Sequence, residues 1–178
     1  MEENDSESEI FAGLTLPRLL NRSPSDQIEF LEEIPSEPIK LAITAAALGN
    51  HRGGVIILGA DRKGNVVGTN DPNDLVPKID NIYSNFIQPR LDYNPKPVEY
   101  GNHHVLAIVV KNKSTLYSVS WEGEICEDQT EEHHLYYIRA GSSQRPMSPI
   151  GVWQFMQPSV RNEGRVKKDQ GNRGGYRV

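Results

Sequence analysis

The stretch Ile43–Gly68, ITAAALGNHRGGVIILGADRKGNVVG, decides how the rest of the chain is read. Its first part belongs to a helix predicted over Lys40–Leu48, where Ala42, Ala45, Ala46 and Ala47 let another backbone come close. Ala and Leu are also among the best helix formers. Gly49-Asn50 predicts a helix stop of the left-handed kind, which Gly or Asn adopts at little cost. Val55-Ile56-Ile57-Leu58 is an unbroken apolar run of strand length and reads as a strand buried on both faces. Asp61-Arg62-Lys63-Gly64-Asn65 is turn chemistry, and Val66-Val67 is predicted to return as the second strand of a hairpin.

Working outward toward the N-terminus, Ile28–Leu31 (IEFL) predicts a short first strand with Glu29 on the opposite face from Ile28 and Phe30. Ser36 is the expected cap of the Ala-rich helix, with Pro38 in its first turn. Ile10–Leu20 has a partly helical apolar pattern interrupted by Pro17. On the C-terminal side, Asn73 or Asp74 is expected to cap a helix running to about Ile87. Leu75, Val76, Ile79, Ile82, Tyr83 and Phe86 form its buried stripe. The Pro-rich Asn94–Pro97 reads as a link to strands Val98–Tyr100 and Val105–Val110. Residues 111–132 show no clean period and read as a long loop. Leu135–Arg139 predicts a strand, Ala140–Ser143 a turn and Pro149–Met156 a last short helix.

Charge is unevenly spread along the 178 residues, whose net charge is −5. Residues 1–9 (MEENDSESE) hold five acids and no base and read as a solvated leader without the apolar groups needed to order it. Residues 158–178 read as a disordered, basic, Gly-rich tail; from Arg161 onward it carries six Lys/Arg against two acids. Between them, 10–157 is expected to form one domain. No apolar stretch has transmembrane length, so no membrane partner is expected. The single cysteine, Cys126, excludes an internal disulfide and fits a cytoplasmic setting.

Taken together, Glu29-Phe30, Gly53-Gly54, Ile57–Asp61 (ILGAD), Gly64, Val67-Gly68 and Tyr136–Ser143 (YYIRAGSS) stand in an order that resembles the Schlafen/AlbA-like domain. The resemblance covers about residues 24–157. It implies an α+β fold, with a mixed, mostly antiparallel sheet covered by helices, and a nucleic-acid-binding module for DNA or RNA. Some Schlafen members are metal-dependent endoribonucleases that use three carboxylates, and this is the alternative function. Carried over, Glu29 and Asp61 would be catalytic residues and ligands of Mg²⁺ or Mn²⁺; no other cofactor is implied. The acid five positions before Glu29 falls on Pro24, and the usual Lys after Glu-Phe is Leu31. A structural reading stands beside this one, in which Glu29 is a solvated strand acid and Asp61 caps a turn.

Other motifs divide in the same way. Gly53-Gly54 precedes a strand rather than a helix, which is the wrong geometry for a phosphate loop and the right one for a tight turn. His103-His104 and His133-His134 are adjacent strand residues that point to opposite faces, so neither pair chelates a metal by itself. Arg139, Ser142 and Ser143 can grip a phosphate at a strand end. In the competing reading, Arg139 pairs with a sheet acid and the serines cap the turn. Arg52, beside His51, together with Arg62, Lys63 and Arg145, completes the set expected to contact nucleic acid. Arg173–Arg177 (RGGYR) adds charge and an aromatic in the tail. A regulatory protein-interaction domain is a further alternative, since the centre of the chain is acidic; a protein partner or a second copy would then be the ligand.

Overall fold

The computed structural model describes residues 8–126 and 129–157; the tail and all but the end of the acidic leader lie outside them. The chain is α+β, with four helices and two four-stranded sheets among the described residues. In the first sheet β1 (Ile28–Leu31) runs parallel to β2 (Gly54–Leu58), with Glu29 opposite Ile56. β5 (His103–Val110) lies antiparallel on the other side of β2, and β4 (Tyr93–Tyr100) closes the sheet as an edge. The second sheet is antiparallel throughout, in the order β3 (Ile87–Gln88), β6 (Ser118–Cys126), β7 (Gln129–Ala140), β8 (Ser143–Pro146).

The Ala-rich segment forms α2 (Pro38–Gly49), which joins β1 to β2 and packs against both sheets. Its Leu41, Ala42, Ala45, Ala46 and Leu48 share a core with Ile56, Leu58, Ile108, Tyr117 and Val119. α3 (Pro72–Phe86) adds Leu75, Ile79 and Tyr83 to that core. On the opposite face of the first sheet, α1 (Leu16–Leu20) packs Leu16, Leu19 and Leu20 on Phe30, Val55, Ile57 and Val105. β2 is therefore buried on both faces, as its unbroken apolar run requires.

Several expectations are corrected. Val66-Val67 forms no hairpin strand; only an isolated Ala60–Val66 bridge exists. Both edges of β2 are already taken by β1 and β5, so a return strand has nowhere to pair. Asn50 ends α2 in the right-handed region, and the positive φ appears later, at Gly53 (φ 72°). Gly49 is small for another reason, since a Cβ there would sit 2.9 Å from the Tyr117 ring. Glu37, not Ser36, is the cap position of α2. Asp71, rather than Asn73 or Asp74, caps α3, accepting from the Asn73 N–H at 2.8 Å.

The Pro-rich Asn94–Pro97 lies inside β4, where an edge strand tolerates residues without an N–H. Residues 118–126 form β6 and 129–132 begin β7, in place of the predicted loop. Ser118 and Ser120 of β6 are buried alongside Val119, so the strand carries no apolar alternation to betray it. The last helix, α4 (Pro149–Met156), forms where expected, capped by Ser148, and leaves Ile150, Trp153 and Met156 exposed.

Candidate nucleic-acid interface

Glu29 projects from β1 on the face opposite Ile28 and Phe30, as the alternation requires, but it is buried rather than solvated. Arg139, near the end of β7, reaches it from the second sheet: its Nη1 donates to Glu29 Oε2 at 2.8 Å. The same nitrogen lies 3.2 Å from Gln144 Oε1, and Nη2 donates to the Ser25 carbonyl at 2.6 Å. The Arg139 side chain has no solvent exposure, and its Nε meets no acceptor among the described residues. It therefore offers nothing to an external phosphate. The expectation that Arg139 binds nucleic acid gives way to the competing one, an Arg paired with a sheet acid; which acid the sequence could not specify, because it lies 110 residues away.

Asp61 follows the end of β2, beyond Gly59 with its φ of 100°. Its carboxylate accepts from the backbone N–H groups of Lys63 and Asn65 and from the Asn65 side-chain amide, each at 2.8 Å. These bonds, led by the Asn65 amide and assisted by the Lys63 charge, hold its pKa below the ordinary carboxylate value. Glu29 and Asp61 are thus committed to different partners, one to a guanidinium and one to a turn. Pro24 supplies no third acid, and no group of three or more His, Cys, Asp or Glu among the described residues is arranged to hold a metal ion. The residues present do not fit the three-carboxylate divalent centre.

The remaining basic candidates stand on three different segments. Arg52 is exposed in the turn that precedes β2, while Arg62 and Lys63 are exposed beyond its far end. His51, next to Arg52, pairs with Asp26 at 3.0 Å. Ser142 and Ser143 are exposed in the β7–β8 turn, and the Ser143 hydroxyl donates to the Ala140 carbonyl. Arg145 is exposed on the edge strand β8, opposite Ile138.

A different cationic cluster emerges around Gly64 (φ 84°), where a Cβ would lie 1.9 Å from the Leu20 carbonyl oxygen. Only glycine allows this approach, and it lays the 61–65 turn directly on the end of α1. The backbone that carries Arg62 and Lys63 thereby meets the end of α1, where Arg18 and Arg22 are each two residues from Leu20. All four are exposed, and none is in an ion pair among the described residues. Asp61, the acid in the same turn, has its carboxylate occupied by that turn. Four cations elsewhere are paired with acids: Lys40 with Glu37, Lys111 and Lys113 with Asp92, Arg139 with Glu29. Sequence reasoning missed Arg18 and Arg22, because nothing local marks them as neighbours of Arg62.

A family profile described as Schlafen, AlbA_2 matches residues 25–148. No curated protein matches the chain. Among solved structures, the DIP2311 protein from Corynebacterium diphtheriae is similar at 24% identity and a TM-score of 0.49, over 75% of this chain. This chain spans only 27% of that protein. The N-terminal domain of a RecG-related protein from Nitrosomonas europaea, named for an ATP-dependent DNA helicase, is similar at 21% identity and a TM-score of 0.45. That likeness covers 55% of this chain and 70% of the other.

Proposed function

The chain belongs to the Schlafen AlbA_2 family, and from that premise we propose that it is a nucleic-acid-binding domain. The observation that supports the reading is the seating of Gly64 on Leu20, which brings the turn carrying Arg62 and Lys63 to the end of α1 that carries Arg18 and Arg22, all four exposed and without ion-pair partners among the described residues. A phosphate backbone is recognised by such a patch, since each contact releases condensed counterions and needs no deep pocket. In a protein that is acidic overall, cations left without ion-pair partners are the ones available to an anionic ligand.

The endoribonuclease reading has less support. An ion-activated phosphodiester attack needs carboxylates free to hold the ion. Here Glu29 is held by Arg139 and Asp61 by its own turn.

Fluorescence anisotropy of labelled single-stranded RNA and DNA across a salt series tests the proposal. Binding at low salt is expected, with affinity falling steeply as salt rises. Arg22→Ala, Arg62→Ala and Lys63→Ala should each reduce the log–log salt slope by about 0.7, as one lost single-strand phosphate contact requires. Absence of binding at low salt for both nucleic acids would sink the reading.

A further inference from the structure

Beside the basic patch lies an open groove of about 380 Å³, near the lower end of the size of ligand sites (roughly 300–1,000 Å³). It opens at the carboxyl ends of the parallel strands β1 and β2, a position where open sheets commonly seat ligands. Glu32 and Glu33, following β1, line it together with Asn70, Asn102, His103 and His104. His103 is held closely, since a Cβ on Gly68 (φ 81°) would meet its Nδ1 at 2.7 Å. The Thr69 N–H donates to the His104 carbonyl at 2.9 Å and ties the opposite rim to β5. The lining is polar, so it suits a flat polar ligand rather than an apolar one. Two carboxylates would repel a phosphate.

Val67, on the groove wall, is only four residues from Lys63, so their backbones are no more than about 14 Å apart. A neutral base can therefore enter the groove while its own strand's phosphates stay on the cations. We propose that the groove takes an unpaired nucleobase carrying an exocyclic amine, which donates to Glu32 or Glu33 while the base plane lies on a histidine ring. Carboxylates accept from the cytosine amine in this way, and bases splayed from single strands stack on aromatic side chains, histidine included. Neither glutamate is in an ion pair among the described residues, and both are exposed. The inference rests on the nucleic-acid reading above and narrows its ligand to an amine-bearing base in a single strand.

Oligocytidine and oligouridine of equal length, about twelve nucleotides, separate the two ideas, because they carry the same phosphates and differ at the base edge. The intact chain should bind oligocytidine about fivefold or more tightly, as one carboxylate–amine contact provides. Replacing both glutamates (Glu32→Ala with Glu33→Ala) should bring the ratio of the two affinities close to one, with the salt slope unchanged. Arg62→Ala with Lys63→Ala should lower both affinities together and leave the ratio intact. Circular dichroism confirms that the variants remain folded. Equal binding of the two oligonucleotides by the intact chain, or a ratio that survives loss of both glutamates, overturns the base-reading groove while leaving nucleic-acid binding standing. Failure of both to bind overturns the nucleic-acid reading itself.

Discussion

Removing one member of a buried ion pair leaves the other charged, desolvated and without its partner. Arg139 and Glu29 are such a pair, with the guanidinium also donating to the Ser25 carbonyl and lying within reach of Gln144. Arg139→Ala is therefore expected to destabilise the fold by about 3–5 kcal/mol in urea melts. Combining Glu29→Leu with Arg139→Met should cost less than Arg139→Ala alone, because no charge is then stranded. A loss of nucleic-acid affinity without a loss of stability would contradict this assignment. Asp61 behaves differently, being half-buried and bonded to its own turn. Its folded pKa is depressed, chiefly by the Asn65 amide, so its contribution is present above the unfolded carboxylate value and is lost as pH falls through the folded one. An NMR titration should place the Asp61 carboxyl below an ordinary aspartate, and Asn65→Ala should move it upward; an unshifted Asp61 would remove the argument. Gly64→Ala meets both a positive φ and the Leu20 carbonyl. It should cost on the order of 2 kcal/mol and pull the turn away from α1.

At the level of elements, α2 is the member on which both sheets lean. Ala46 is fully buried within the core it shares with Ile56 and Leu58, so Ala46→Leu has no space to fill. Overpacking of this kind is expected to cost about 1–3 kcal/mol, read as a lower urea midpoint with an unchanged m-value. No change in midpoint would mean that the helix face is not the one described. α2, β2 and the apolar stripe of α3 were legible because each is declared by its own residues: small helix formers, an unbroken β-branched run, a helical period. β6 was not, since its buried positions include Ser118 and Ser120, whose place is set by the neighbouring β3 and β7. β4 was hidden by Pro95 and Pro97, which a strand accepts only at an edge, and edges are a property of the assembled sheet. Val66-Val67 failed in the opposite sense: its local signal was that of a strand, but β5 had taken the place beside β2.

For the whole molecule, the question is where positive charge is available in a chain of net charge −5. Arg62 and Lys63 were legible as exposed turn cations, whereas their juxtaposition with Arg18 and Arg22 depends on a contact between segments far apart in sequence. The carboxylate candidates were legible as residue types only, because Glu29's commitment to Arg139 is a tertiary fact. Two sources of cations follow, the patch on the domain and the six Lys/Arg from Arg161 onward, which stand against two acids. Truncation after Gln157 should weaken binding and flatten the log–log salt slope by up to about 4, if all six tail cations contact a single strand. Replacing Arg22, Arg62 and Lys63 by alanine in the truncated chain should remove roughly 2 more, since each contact contributes about 0.7. The two losses should add where tail and patch hold different phosphates of the strand. The order of the experiment matters. If the truncated chain no longer binds at low salt, the tail alone was the ligand's anchor, and the patch around Gly64 is a solvated surface. If it still binds, and the patch substitutions then lower the slope, the domain itself grips the phosphate backbone and the tail only strengthens the hold.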